Sequence, residues 1–413
     1  MFAHECKKIL CSLTFIVYCV LSVLFTGSQY YTDSTDRRYP PSPNSDGYGY
    51  MIVEDHDLIM EGALNSLFSE YASNKYVCYP FGFYKAVRLK EKKQAVIAEY
   101  LKEMTGTDDS GLAEFLTEGE EYYQGYSTSP MYEFDTMSMK TDFSYDRFTD
   151  IMTDVDDILG GGSGYDPANL VYNYSRVPMP YEKAVEEYNE FIKDDRITGG
   201  LARYFSDYAG IDLAILPVFA AAALTAADRK RRMSELIQTR KVSSFRLTVT
   251  RYGALVFMLF IPALLEMAAA LIQALIVYSG ETLDIPVMFT LPTFWLLPNV
   301  MFATAVGVLL TEVFSAGFAI IAQTVFWFAS VMASGGALYG NIGKFDYVCR
   351  HNTEVKRAEF LMNWDNFVFS RIFWAVLSLV FVVLAALVYD AKRGGKFNGI
   401  RLFGKGGILR RKA

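Results

Sequence analysis

The fold is decided by two uncharged stretches, ILCSLTFIVYCVLSVLFT at residues 9–26 and IFWAVLSLVFVVLAALVY at residues 372–389. A helix needs about 20 mostly apolar residues to cross the hydrocarbon core of a bilayer. Buried helices of soluble proteins are rarely so long and so free of charge, so we predict a membrane-spanning helix at each place. Four further apolar stretches lie between them, at residues 211–227, 252–278, 286–311 and 314–339.

The charged residues are sorted along the chain of 413 residues, whose net charge is −7. Residues 228–251 carry eight Lys or Arg against two acidic residues, and residues 390–413 carry eight against Asp390 alone. Residues 28–210 instead carry 33 Asp or Glu against 16 Lys or Arg. Short basic loops stay cytoplasmic, whereas long domains cross largely regardless of charge. We therefore expect both termini and 228–251 inside, with 28–210 and 341–369 outside.

These patterns predict an all-α integral membrane protein with six transmembrane helices and a large, mainly helical extracellular insertion between helices 1 and 2. Residues 1–27 could instead be a cleaved signal peptide, but their apolar run is longer than a signal core, which favours an anchor. Inside the insertion, residues 84–105 have a helical pattern that Gly106 is suited to end. The predicted order is a first helix in 1–27, the outer domain 28–210, helix 2 at 211–227, the cytoplasmic segment 228–251, helices 3–5 within 252–340, the outer loop 341–369, helix 6 at 370–389 and the tail 390–413.

Sequence motifs for catalysis are missing. No GxxxxGK[ST], HExxH or GxSxG pattern occurs, and no CxxC or histidine cluster indicates a metal site. We therefore expect no enzyme activity and no cofactor bound by this chain. The acidic excess belongs to the predicted outer domain, so we expect no nucleic-acid partner. The three histidines, His4, His56 and His351, are far apart and are expected to be solvated.

The strongest candidate for a functional side chain is Glu266, which lies in the middle of the third apolar stretch. An ionisable side chain there costs at least about 2.5–3.5 kcal/mol and usually faces a bundle interior or a wet cavity. It either lines a pathway or makes a structural hydrogen bond to Gln273, Gln323 or the backbone, and the sequence leaves both alternatives open. Asp212 and Glu312 are expected near helix ends, where they reach water.

A disulfide between Cys78 and Cys349 is a further possibility, because both cysteines fall in segments predicted to lie outside. Two lone cysteines are weak evidence, so the sequence leaves the pairing open.

The order of the elements resembles that of the ABC-2 type permeases, the membrane subunits of a class of ATP-driven exporters. The most specific stretch is DRKRRMSELIQTRKVSSFRLTVTR at residues 228–251. Such permeases commonly carry an acidic residue, Gly-Thr, Glu-Leu and Pro-x-Ser before the third helix. The residues that fit are Asp228, Glu235-Leu236 and Val242-Ser243, and those that depart are Arg232-Met233 and Lys241. Residues 92–106 and 350–372 also resemble stretches of permeases from Gram-positive bacteria.

The resemblance implies a multi-pass permease half in a bacterial plasma membrane, active in efflux. A second half, identical or not, would complete the pathway, and a separate ABC ATPase subunit would bind the ATP. The segment 228–251 would couple the two proteins. Within it, the basic and partly amphipathic residues 228–246 predict a helix along the inner membrane surface. Its expected contact residues are Asp228, Met233, Glu235, Leu236, Ile237 and Arg240. The alternative is a membrane-anchored interaction or signalling protein whose acidic ectodomain binds a partner.

Overall fold

The computed structural model describes residues 1–33, 36–45, 47–79, 84–113, 115, 137–230, 242–335, 342–397 and 400. The chain divides into two compact units. The span unit comprises Met1–Pro40 and Val185–Ala413, and the insert unit comprises Pro41–Ala184. The insert unit is shorter than the predicted outer domain 28–210, because both ends of that segment belong to long apolar helices.

Six helices among the described residues are long and apolar enough to cross a membrane, as the sequence predicts. They are span 1 (Leu13–Tyr31), span 2 (Thr198–Ala227), span 3 (Ser244–Val277), span 4 (Val287–Val313), span 5 (Ala316–Ala333) and span 6 (Trp364–Arg393). Span 1 lies in the helix Leu13–Asp33 and span 5 in the helix Ala316–Gly335. Span 2 consists of two consecutive helices, Thr198–Leu213 and Leu216–Lys230.

Span 2 begins at Thr198, earlier than the predicted start at residue 211. The hydropathy pattern predicts too short a span, because residues 198–210 include the charged residues Arg203 and Asp207. Both side chains are buried in the structure. Arg203 is paired with Asp195, and Asp207 is paired with Arg350. Because both charges are matched inside the protein, this part of the helix presents no unpaired charge to its surroundings.

Span 4 is central to the span unit, since it packs against spans 2, 3, 5 and 6. Its Trp295 side chain is completely buried. At Gly307 the backbone approaches span 2 so closely that an added Cβ would lie 2.8 Å from the Cβ of Ala221. Small residues at such crossings allow membrane helices to approach one another.

Shorter helices flank the spans. The helix Phe2–Leu10 precedes span 1, and its Ile9 side chain is buried while Phe2 and Leu10 are exposed. The helix Tyr181–Asn189 continues into a π-helical turn, Glu190–Asp194, before span 2. The short helix Arg357–Met362 precedes span 6.

The insert unit is built around the helices His56–Ser73, Glu91–Thr105 and Tyr145–Leu159, with the short helix Leu170–Tyr174 beside them. The carboxylate of Asp55 caps the first helix by accepting from the backbone N–H groups of Asp57 and Leu58. The completely buried core side chains include Leu64, Leu67, Leu101 and Ile151.

The insert unit is mainly helical, as predicted, but it also contains two small antiparallel sheets that an all-α fold lacks. Tyr50–Ile52 pairs with Arg176–Pro178, and Tyr76–Cys78 pairs with Lys85–Val87. The helix predicted over 84–105 therefore begins only at Glu91. It ends as predicted at Gly106, whose φ of 75° is the left-handed conformation that glycine adopts without strain.

Candidate functional site

Span 1 presents a row of hydroxyl groups to the interior of the span unit. Tyr18, Ser22 and Thr26 follow one another at a spacing of four residues, which places them on one helix face, and all three are buried. On the opposite face, Val17 and Leu24 are exposed. The Tyr18 hydroxyl donates to the backbone carbonyl of Leu259 in span 3 at 2.6 Å. One face of span 1 is therefore polar and faces inward.

Asp212 of span 2 meets this hydroxyl row. The Ser22 hydroxyl donates to Oδ2 of Asp212 at 2.9 Å, and only 3% of the Asp212 surface is exposed. The other carboxylate oxygen, Oδ1, has no hydrogen-bond partner among the described residues. The expectation that Asp212 reaches water is wrong, and so is the same expectation for Glu312 of span 4, which is only 9% exposed and is bound by Lys392 at 2.9 Å. Because span 2 begins at Thr198, Asp212 lies in the middle of the span and not at its end.

Glu266 of span 3 is the second carboxylate of the cluster. Its side chain lies beside the hydroxyls of Ser22 and Thr26, and it is close enough to Asp212 for the two charges to interact. Glu266 is 7% exposed, and its Oε1 atom has no hydrogen-bond partner among the described residues. The sequence predicted a buried, intramembrane polar group at this position, and the structure describes it as buried in the span unit.

These five residues form what we call the acidic cluster: Tyr18, Ser22, Thr26, Asp212 and Glu266. It brings together spans 1, 2 and 3. The ion pairs of the described residues include neither carboxylate. A buried carboxylate without a cation is costly and attracts a proton or another cation. The arrangement can therefore take up positive charge inside the bundle.

The two glutamines that the sequence offered as partners of Glu266 lie in different surroundings. The Gln323 amide of span 5 donates to the backbone carbonyl of Ala214 at 2.8 Å and to the Tyr347 hydroxyl at 3.3 Å. Gln273 lies further along span 3 and is partly exposed. Gln323 thus belongs to a separate contact between span 5 and span 2.

Arg371 of span 6 is the centre of a second polar network, which the sequence did not single out. Its side chain is completely buried, and its guanidinium donates five hydrogen bonds. The acceptors are the backbone carbonyls of Trp295, Asp346 and Tyr347, the Asn299 side-chain oxygen at 2.8 Å and the Ser370 hydroxyl. The Asn299 amide in turn donates to the Gly210 carbonyl of span 2 at 3.2 Å. This network joins spans 2, 4 and 6.

Ion pairs hold the segment before span 6 against the start of span 2. Arg350 Nε lies 3.1 Å from the Asp207 carboxylate, and the His351 backbone N–H donates to the same carboxylate at 2.7 Å. The Arg203 guanidinium binds Asp195 through both of its terminal nitrogens. The described contacts therefore include two buried or largely buried Arg–Asp pairs, which are costly to break.

His351 is completely buried, so the expectation that it is solvated is wrong. Its Nε2 lies 3.0 Å from the Val355 carbonyl, which can only accept, so this nitrogen carries the proton. Burial and the charge of Arg203 lower the pKa of His351 to about 4. The imidazole is therefore neutral at neutral pH.

The coupling residues predicted within 228–251 are mostly beyond what the structure describes. Met233, Glu235, Leu236, Ile237 and Arg240 lie outside the described residues. Asp228 falls in the last turns of the helix Leu216–Lys230, but its side chain is outside the description. The coupling role of all six residues stays a prediction.

The two cysteines proposed to pair are free thiols in the structure. Cys78 is buried in the core of the insert unit, and Cys349 is buried in the span unit with its sulfur near the Ser370 hydroxyl. The disulfide stays a prediction.

Comparisons with known proteins identify no relative: no protein-family model, no curated protein and no solved structure matches the chain.

Proposed function

We propose that this chain is the permease subunit of an ATP-driven exporter of the ABC-2 type. The proposal is supported by the order of its elements: one span, a long insertion, a second span, a basic segment and four further spans. In this arrangement the chain is a multi-pass protein of the cell membrane, and the insert unit lies on the outer side. A second permease half completes the pathway. The ATPase is a separate chain that docks on 228–251.

The observation that carries a transport function is the acidic cluster. Two carboxylates from different spans, Asp212 and Glu266, are buried close enough for their charges to interact, and neither forms an ion pair with a described residue. A helix bundle that served only as an anchor would be more stable with apolar side chains at both positions, because buried carboxylates raise the free energy of insertion. Ionisable groups inside spans commonly mark pathways for substrates, ions or protons. We assign the acidic cluster to the transport pathway or to its coupling.

A signalling or interaction protein anchored by its helices is the second candidate. Its supporting observation is the acidic excess of residues 28–210. That acidic excess would suit binding to a basic partner outside the membrane, but it does not account for the carboxylates inside the bundle.

Purification of the tagged full chain from its native membrane tests the proposal. The expected result is co-purification of a subunit that carries a GxxxxGK[ST] nucleotide-binding motif and hydrolyses ATP. Glu235→Arg should release that subunit or uncouple its ATP hydrolysis while the chain still inserts. Deletion of the tail after Asp390 should do much less. Isolation of the chain with a soluble signalling protein and without an ATPase, after cross-linking in intact cells, would refute the exporter proposal.

The orientation of the chain is tested separately by labelling single cysteines in a background without native cysteines. An impermeant maleimide should label Ser45→Cys in the insert unit of intact cells, but should label Arg231→Cys only after lysis. The reason is the concentration of Lys and Arg in 228–251 and 390–413. Strong labelling of Arg231→Cys in intact cells would contradict this orientation.

A further inference from the structure

The insert unit separates its positive charges from its negative ones. Residues 74–93 carry six Lys or Arg against Glu91 alone, whereas the other residues of 41–184 carry 24 Asp or Glu against five Lys or Arg. All six cations are exposed, and none of them forms an ion pair with a described residue. We call them the basic patch: Lys75, Lys85, Arg88, Lys90, Lys92 and Lys93.

Local pairing of the backbone gathers the basic patch. The strand Tyr76–Cys78 pairs with Lys85–Val87. The Asn74 amide donates to the Leu89 carbonyl at 3.1 Å, and its oxygen accepts from the Leu89 N–H at 2.9 Å. These contacts hold Lys75 next to the segment that carries the other five cations.

Two carboxylates beside the strands are engaged in internal hydrogen bonds. Glu70 accepts from the Val77 N–H and from the Tyr165 hydroxyl, each at 2.7 Å. Asp156 accepts from the Ser163 N–H at 2.7 Å. Both lower the local positive potential, but they leave the six cations without a carboxylate partner among the described residues.

The helix Tyr145–Leu159 carries an exposed surface of the opposite sign. Four of its carboxylates follow one another at spacings of four, four and three residues, which places them on one side of the helix. The only cation of this helix, Arg147, is bound by Glu103 through two hydrogen bonds. All four carboxylates are exposed, and the described ion pairs include none of them. We call them the acidic face: Asp146, Asp150, Asp154 and Asp157.

The basic patch and the acidic face adjoin each other on one unit. Lys93 Nζ donates at 2.7 Å to the backbone carbonyl of Ile158, near the end of the helix that carries the acidic face. In a two-fold symmetric dimer, a contact between two different surfaces occurs twice. Adjoining surfaces of opposite charge suit this symmetry, because both contacts then lie near the two-fold axis. An acidic polymer would be attracted by the patch but repelled by the face.

We propose that two copies of this chain associate through their insert units, with the basic patch of each copy on the acidic face of the other. The inference rests on the proposed function in one respect, since it takes the second permease half to be a copy of this chain. Complementary charge brings such surfaces together and excludes like-charged partners. Because the charges are exposed, the contact should weaken as the salt concentration rises.

Two charge-reversed forms of the full chain test the contact. The patch variant is Lys85→Glu/Arg88→Glu/Lys92→Glu, and the face variant is Asp146→Lys/Asp150→Lys/Asp157→Lys. A dimer of either variant with itself brings like charges together at both contacts. A mixed dimer of the two variants has opposite charges at both contacts. The control variant, Lys140→Glu/Arg176→Glu, reverses two exposed cations of the insert unit outside the basic patch.

The readout is covalent capture of pairs of chains. Each chain is co-expressed with two different tags, purified in an uncharged detergent and treated with a carbodiimide, which joins a carboxylate to an amine that it contacts. Pairs that carry both tags are counted after denaturation. Each variant paired with itself should give about tenfold fewer captured pairs than the wild type, or fewer still, because like-charge contacts cost several kcal/mol. The mixture of patch and face variants should restore capture, which also shows that both variants fold.

The control variant should be captured like the wild type. If the mixture of patch and face variants gives no more captured pairs than either variant alone, or if the control loses as many, the inference is overturned. Capture of the wild type that does not fall with added salt would also overturn it. Co-purification of the ATPase subunit should be unaffected by the patch and face variants, so the failure of this contact and the failure of the exporter proposal are separate results.

Discussion

Replacement of Asp212 by Asn should make the protein more stable, which is unusual for a change at a completely internal polar residue. The Asn side-chain oxygen can still accept the hydrogen bond that the Ser22 hydroxyl donates to Oδ2 at 2.9 Å. The new amide nitrogen takes the place of Oδ1, which has no partner among the described residues. Glu266 is close enough to interact with Asp212, and its Oε1 also has no partner among the described residues, so the new donor has an unmet acceptor in its vicinity. One substitution therefore removes a charge and supplies a missing donor.

The magnitude follows from the surroundings of Asp212. An ionised Asp at the centre of a span costs about 2.5–3.5 kcal/mol on insertion scales, and the amide has no ionised form. A new buried hydrogen bond contributes about 1 kcal/mol, and the loss of side-chain freedom opposes part of the gain. We expect the free energy of unfolding to increase by about 1–3 kcal/mol.

Thermal unfolding of the detergent-purified full chain measures this change. Asp207→Asn is the matched control, because the same substitution on the same helix breaks the ion pair between Asp207 and Arg350. Removal of one partner of a largely buried pair should lower the stability by about 2–4 kcal/mol. Ser22→Ala should lower it by about 1–2 kcal/mol, since Asp212 then loses its donor. If Asp212→Asn is destabilising like Asp207→Asn, the Asp212 carboxylate has a stabilising partner besides Ser22, and the prediction is refuted.

Two further predictions concern the packing and the pH response of the span unit. Between pH 7 and pH 5, His351 should lower the free energy of unfolding by about 2 kcal/mol as the pH falls. The pKa of His351 is about 4 in the folded chain and 6.5 in the unfolded chain. The unfolded chain therefore binds more protons in this range, and acid favours unfolding. Unfolding measured against pH should show this loss of stability in the wild type and in the control His56→Asn, but not in His351→Asn. If the stability of His351→Asn still falls with pH as steeply as that of the wild type, His351 is not the responsible group. Gly307→Ala should cost about 1–3 kcal/mol by overpacking, since its Cβ would lie 2.8 Å from that of Ala221. Gly317→Ala, where an added Cβ meets nothing within 4 Å, is the control in the same unfolding assay, and equal stability of the two variants would show that spans 2 and 4 separate easily.

The number of spans could be predicted from the sequence because an apolar run of about 20 residues has few other uses. Glu266 could be singled out for the same reason, as a lone charge inside such a run. The start of span 2 could not be predicted, because Arg203 and Asp207 lower its local hydropathy. Their partners, Asp195 and Arg350, are joined to them only by the fold. Hydropathy measures a residue alone, whereas the cost of a charge depends on its partner.

The position of Asp212 could not be predicted for the same reason, because the apolar stretch 211–227 places this residue at the end of a span whose middle it occupies. A usable signal did exist in the first apolar stretch. Tyr18, Ser22 and Thr26 recur at a spacing of four, which predicts a polar face on an otherwise apolar helix. Such a face in a membrane needs polar partners on neighbouring helices. The hydroxyl row therefore indicates that other spans carry buried polar groups, although it does not indicate which ones.

The buried polar groups of the span unit are of two kinds, and the difference between them separates structural from functional candidates. Arg371 donates five hydrogen bonds, and Asp207 binds both Arg350 and a backbone N–H, so each stabilises a contact between elements. Asp212 and Glu266 each keep an oxygen without a partner in the described part of the chain. Burial and charge are common to both kinds, so neither property alone identifies a site. A buried carboxylate that forms no ion pair among the described residues and keeps an unmet oxygen is the better indication, because it costs stability and can bind a proton or another cation.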